Sequence, residues 1–118
     1  MTNDDSPSRR GKTTIAPEVL LTIAKLSALA VPGVVNTGPV PGGVNRLFQR
    51  GIGDGVRIEV RNQAVSIDLY LIVKNDINVR EVSRLVQIET ARAIQEMVGM
   101  DVLNVNVHIE DVAFPSVL

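Results

Sequence analysis

The chain has no cysteine and no tryptophan, and it carries one histidine, one tyrosine and two phenylalanines. Without cysteine there are no disulfide frameworks, thiolate nucleophiles or thiolate zinc sites, and the chain suits a reducing compartment. Aromatics are 3% of residues, so the core must be built from Val, Ile, Leu and Ala. Stacking platforms for single-stranded nucleic acid are scarce for the same reason. Neither sign of charge dominates. Twelve basic and thirteen acidic residues leave a net charge of -1, which gives no bulk attraction to nucleic acid or anionic lipid. There is no long apolar run. The most apolar stretch, residues 19–35, holds Lys25, Pro32 and Gly33, whereas a spanning helix needs about 20 mostly apolar residues. Residues 1–13 are polar and lack the apolar segment of an export signal. The expected address is the cytoplasm, with peripheral association at the inner face of the membrane only through a partner.

What is present is enough for one domain: 118 residues, 45% hydrophobic. Residues 73–111 read strand, helix, strand. Asn78 is placed to cap a helix, with Glu81 three residues on. Val79, Val82, Leu85, Val86, Ala93 and Met97 follow on one helical stripe, and Gly99 is a left-handed stop. Leu103, Val105, Val107 and Ile109 then alternate with Asn104, Asn106, His108 and Glu110, as in a strand with one buried face. Earlier, Pro17 suits the first turn of a helix that runs to about Ala30 and ends at Pro32-Gly33. Its expected inner face is Val19, Leu20, Ile23, Ser27 and Ala30. Its expected outer face is Glu18, Leu21, Lys25 and Leu29. Two leucines flanking a lysine are unusual on a solvated side.

Residues 56–71 make a hairpin. Turning at Asn62-Gln63 pairs Val60 with Val65, Ile58 with Ile67 and Val56 with Leu69, all on one face, and sets Arg57 opposite Asp68 on the other. Residues 1–11 are expected to be a disordered tail and residues 113–118 a second tail. The domain spans residues 12–112, with a short edge strand at 12–15 and a Gly/Pro-rich loop at 36–55. Within that loop, Leu47 and Phe48 seek cover. The predicted class is α+β, in the order (β)-α-β-β-α-β. It is a two-layer sandwich whose antiparallel or mixed sheet of three to four strands carries both helices on one face.

Signs of chemistry are weak. His108 lies on a polar strand side without a metal-ligand spacing; a surface histidine is expected. The GIGDG run at residues 51–55 precedes a strand, not a helix, and no Gly-Lys-Ser/Thr follows. Asp4-Asp5 and Glu110-Asp111 are adjacent carboxylates without a shared cleft. No catalytic residue, cofactor, metal or small-molecule substrate is indicated. The α-β-β-α-β order is loosely that of KH-type RNA-binding modules, but no G-x-x-G loop is present, and nucleic acid is disfavoured as a partner.

Three segments in order, TTIAPEVLLTIAKLSALAVPGVV, GVRIEVRNQAVSIDLYLIV and INVREVSRLVQIETARAIQEMVGMDVLNVNVHIEDV, resemble the alkaline shock protein family of bacterial envelope stress proteins, also called the Gls general-stress family. The resemblance covers residues 12–112. It departs at Lys74-Asn75-Asp76-Ile77, where the family often has an aromatic-glycine turn. It implies a non-enzymatic, cytoplasmic stress protein that self-associates and docks a membrane-anchored protein partner, or one linked to fatty-acid and envelope homeostasis. The residues expected to serve such an interface are Leu21, Lys25 and Leu29 on the first helix and Arg84, Ile88 and Arg92 on the outer side of the second.

Overall fold

A computed structural model describes residues 15–40, 50–53 and 55–114. In chain order the elements are α1 (Pro17–Leu29), β1 (Val34–Thr37), β2 (Arg50–Gly53), β3 (Val56–Arg61), β4 (Ala64–Lys74), α2 (Val79–Val98) and β5 (Asp101–Ala113). Of the tail expected at 113–118, Ala113 is the last residue of β5, while residues 115–118, the tail expected at 1–11, and Leu47 and Phe48 lie outside the described residues. So does the edge strand expected at 12–15, except Ile15, which is not in a strand.

The sheet is organised around β4. One edge of β4 pairs in parallel with β5 over its whole length. The other edge pairs antiparallel with β3 at residues 64–69 and with β1 at residues 71–73. β1 and β3 therefore lie end to end, and β2 extends the sheet beyond β3. Tyr70 sits at the junction. Its N–H donates to the Gly55 carbonyl (2.9 Å), and its carbonyl accepts from Gly38 N–H (2.7 Å). At Gly55, φ is +77°, and an added Cβ would overlap Thr37 Cβ. Only glycine lets the two strand ends meet this closely.

The class, the mixed sheet and the layering are as predicted. The sheet is larger than predicted, with five strands among the described residues, because both ends of the segment read as a loop at 36–55 enter the sheet. Four-residue strands recruited by distant neighbours leave little local pattern.

The hairpin has the predicted register, with Val60 opposite Val65, Ile58 opposite Ile67, Val56 opposite Leu69 and Arg57 opposite Asp68. Asn62 (φ 50°) and Gln63 (φ 69°) both adopt left-handed backbone, as a two-residue hairpin turn with the strands' twist requires. The caps of α2 are also as predicted. The Asn78 side chain accepts from Glu81 N–H (3.1 Å), and Gly99 turns left-handed and donates to the Ile94 and Gln95 carbonyls.

Both helices pack on one sheet face, α2 over β5 and α1 over β2 and β3. The core joins Leu20, Ala24 and Ala28 of α1 to Val82, Val86 and Ile94 of α2 over Val56, Ile58, Val65, Ile67, Leu69 and Leu71. Three expectations need correction. In α1 the buried residues are Leu20, Ala24 and Ala28, while Val19 and Ala30 are exposed. The helix is turned by about one residue from the predicted face, because two alanines permit the closest approach to the sheet. In α2, Val79 and Met97 are exposed; they lie in the first and last turns, beyond the packed middle of the helix. In β5 the pairing slips at Leu103 and again at Glu110. The first slip turns Leu103 out, to 58% exposure.

Candidate functional site

The outer surface of the helical layer carries the predicted interaction residues in two groups. On α2, burial of Val82, Val86, Thr90 and Ile94 turns Arg84, Ile88 and Arg92 outward, all exposed and one helical turn apart. Ile88 is 42% exposed. Arg92 Nη1 lies 3.2 Å from Glu89 Oε2. On α1, Leu21, Lys25 and Leu29 are half-buried, and Leu21 packs against the core. The rotation of α1 instead exposes Val19 and Leu26.

Between the two helices runs a groove of about 400 Å³. Its walls include Val31, Pro32, Leu85, Ala93 and Met97, and its rim carries Glu89, Arg92 and Glu96. Ser27 also lines it. The Ser27 hydroxyl donates to the Ala24 carbonyl (2.9 Å) and is 3.0 Å from the hydroxyl of fully buried Thr90. That pairing satisfies two polar groups where the helices touch. Of the six predicted residues, only Arg92 lines the groove. The groove was not foreseen, because its walls come from two elements whose rotation is set by packing. Apolar walls with a charged rim suit an apolar side chain presented by another polypeptide.

The opposite, helix-free sheet face holds a polar cluster. Arg57 Nη2 donates to Tyr70 Oη (2.8 Å), and Arg57 Nε lies 3.7 Å from Asp68 Oδ2. Asp68 Oδ1 accepts from Asn106 (3.2 Å) and lies 3.1 Å from His108 Nε2. His108 is thus the hydrogen-bonded surface histidine expected. Tyr70, 5% exposed, is the member that sequence reasoning missed. Among the described residues, no group of three or more His, Cys, Asp or Glu side chains is arranged to hold a metal ion. No helix among them is long and apolar enough to cross a membrane. Residues 51–53 lie in β2 and Gly55 in the turn before β3, so this glycine run joins two strands rather than opening a helix.

Residues 5–114 match the alkaline shock protein 23 family, described by a cell envelope-related function. The chain belongs to that family. Two relatives come from Bacillus subtilis (strain 168), both described as uncharacterized. YqhY is 28% identical over 115 residues, covering 96% of this chain and 85% of that protein. YloU is 22% identical over 109 residues, covering 89% and 91%. Among solved structures, the copper form of the MamM CTD aligns with a TM-score of 0.59 at 15% identity, covering 86% of this chain and 91% of that one. At that identity the likeness is one of fold. Within the alkaline shock protein 23 family, then, this member is a two-layer α+β protein whose helical layer faces outward with a groove and an arginine-flanked apolar residue.

Proposed function

We infer that this protein is a non-enzymatic adaptor of the envelope stress response, which self-associates and docks a protein partner through the outer surface of its helical layer. The observation that carries the reading is the α1–α2 groove with Ile88, Leu26 and Met97 exposed on the same two helices. Scattered apolar residues are ordinary on a surface, but a group beside a groove marks a contact. Leu21, Lys25 and Leu29 flank this surface, and Arg84 and Arg92 alternate along it with Glu81, Glu89 and Glu96. The family's cell envelope-related description supports a membrane-anchored protein as the docked partner, with the adaptor on the cytoplasmic side.

The test pairs the parent with a Leu26→Glu, Ile88→Glu variant. The parent is expected to sediment above monomer mass and to appear in the membrane fraction of native cells. The variant is expected to melt within a few degrees of the parent and to lose both properties. A parent that stays monomeric at high concentration and never enters the membrane fraction would defeat the reading.

A further inference from the structure

The outward stripe of α2 is electrostatically self-complementary. It reads Glu81, Arg84, Leu85, Ile88, Glu89, Arg92, at the spacing that keeps residues on one side of a helix. Opposite it lie the buried Val82, Val86, Thr90 and Ile94. Glu81, Arg84, Ile88 and Arg92 are exposed, and Leu85 and Glu89 are half-buried. We propose that two copies of this chain pair through α2, antiparallel, about a two-fold axis passing between the levels of Val86 and Gln87. This names the partner for the self-association proposed above and rests on that reading.

In this register Glu81 meets Arg92 of the other copy, Arg84 meets Glu89, and Leu85 meets Ile88. Each contact occurs twice, as a two-fold interface requires. No like charges share a level. Neighbouring registers do worse. An axis at the level of Ile88 sets Arg84 against Arg92. An axis between Ile88 and Glu89 sets Glu81 against Glu96 and Ile88 against Glu89. An axis at Val86 sets Arg80 against Arg92. An axis at Gln87, or between Gln87 and Ile88, opposes no like charges but pairs no opposite charges within α2 either, so among these registers the proposed one alone joins opposite charges without a like-charge contact.

The groove supplies the apolar part of the contact. Leu85, Val31 and Pro32 line it, and Glu89 and Arg92 rim it. Ile88 of the second copy arrives at the level of Leu85, where an aliphatic side chain leaves water for an apolar wall. Arg92 then exchanges its exposed ion pair with Glu89 of its own helix for Glu81 of the other. The stripe is only about 16 Å long. Such a contact is at the small end of protein interfaces, and the pairing is a weak, concentration-dependent one.

Charge reversal tests the register. Arg84→Glu sets two carboxylates together at each end of the pair, and Glu89→Arg sets two guanidiniums together. Each single variant should raise the dimer dissociation constant at least about tenfold in sedimentation equilibrium, with little change in melting temperature. The double variant Arg84→Glu, Glu89→Arg restores opposite charges and should recover most of the parent's association. A second arm uses the absence of native cysteine. Glu81→Cys and Arg92→Cys proteins should join through a short thiol cross-linker when mixed. Neither should do so alone, because like positions lie about 16 Å apart along the pair. A parent that associates while the charge variants are indifferent, or while the mixed cysteines fail to join, overturns this register and leaves self-association standing. A parent that never associates overturns both. If a charge variant does not fold, the cross-linking arm decides.

Discussion

Tyr70 and His108 stack ring on ring across β4 and β5, with centroids 4.5 Å apart and planes 11° apart. They are the only tyrosine and the only histidine in the chain. The parallel pairing of β4 with β5 sets them side by side, and Asp68 and Arg57 each hold one end of the arrangement. Removing the Tyr70 hydroxyl takes away the hydrogen bond from Arg57. Tyr70→Phe should cost about 1 kcal/mol, read from denaturant midpoints. His108→Ala should cost about 0.5–1.5 kcal/mol. A Tyr70→Leu, His108→Ala double variant should cost less than the sum of its two single changes, because each of them removes the same ring contact. Strict additivity would show that the stack contributes nothing.

Gln63 carries a side chain at φ 69° in the hairpin turn, a conformation that glycine adopts without strain. Gln63→Gly should raise stability by about 0.5–1 kcal/mol, the relief of left-handed strain less the greater chain entropy of glycine. A lower melting temperature would mean that the Gln63 side chain makes a contact outweighing the strain.

Gly55 is the opposite case. An alanine there meets both a positive φ and the Thr37 Cβ. Gly55→Ala should destabilise by more than about 1 kcal/mol and loosen the β1 pairing, seen as faster amide exchange at Thr37 and Gly38. Unchanged exchange at these amides would show that the junction has room.

Val86, on the inner side of α2, is fully buried, and Val105, 7% exposed, lies on β5. Aspartate at either site places a charge with no partner in the core. Val86→Asp should prevent folding, and Val105→Asp should at least lower the melting temperature sharply. Circular dichroism of the two proteins checks this, and two parent-like melts would contradict the packing.

Some of this was legible because it is local. Asn78 and Gly99 mark the ends of α2 by chemistry that acts within one turn. The hairpin register follows from alternation on both strands. The outward position of Arg84, Ile88 and Arg92 was readable because α2 has a distinct apolar side. α1 lacks that contrast. Leu20, Leu21, Ile23, Leu26 and Leu29 surround its axis, so periodicity alone could not orient it.

The amino-acid sequence by itself determined the α+β class, the two helices, the hairpin and the charge order of α2, since each depends on near neighbours. Only tertiary packing decided which side of α1 is buried, through the close fit of Ala24 and Ala28. Packing likewise recruited β1 to the far end of β4, and β2 to β3. It turned Leu103 outward at a bulge, brought Tyr70 to His108 and opened the groove between the helices. Each of these depends on residues distant in sequence meeting at van der Waals range, and that fit is decided by shape rather than by local preference.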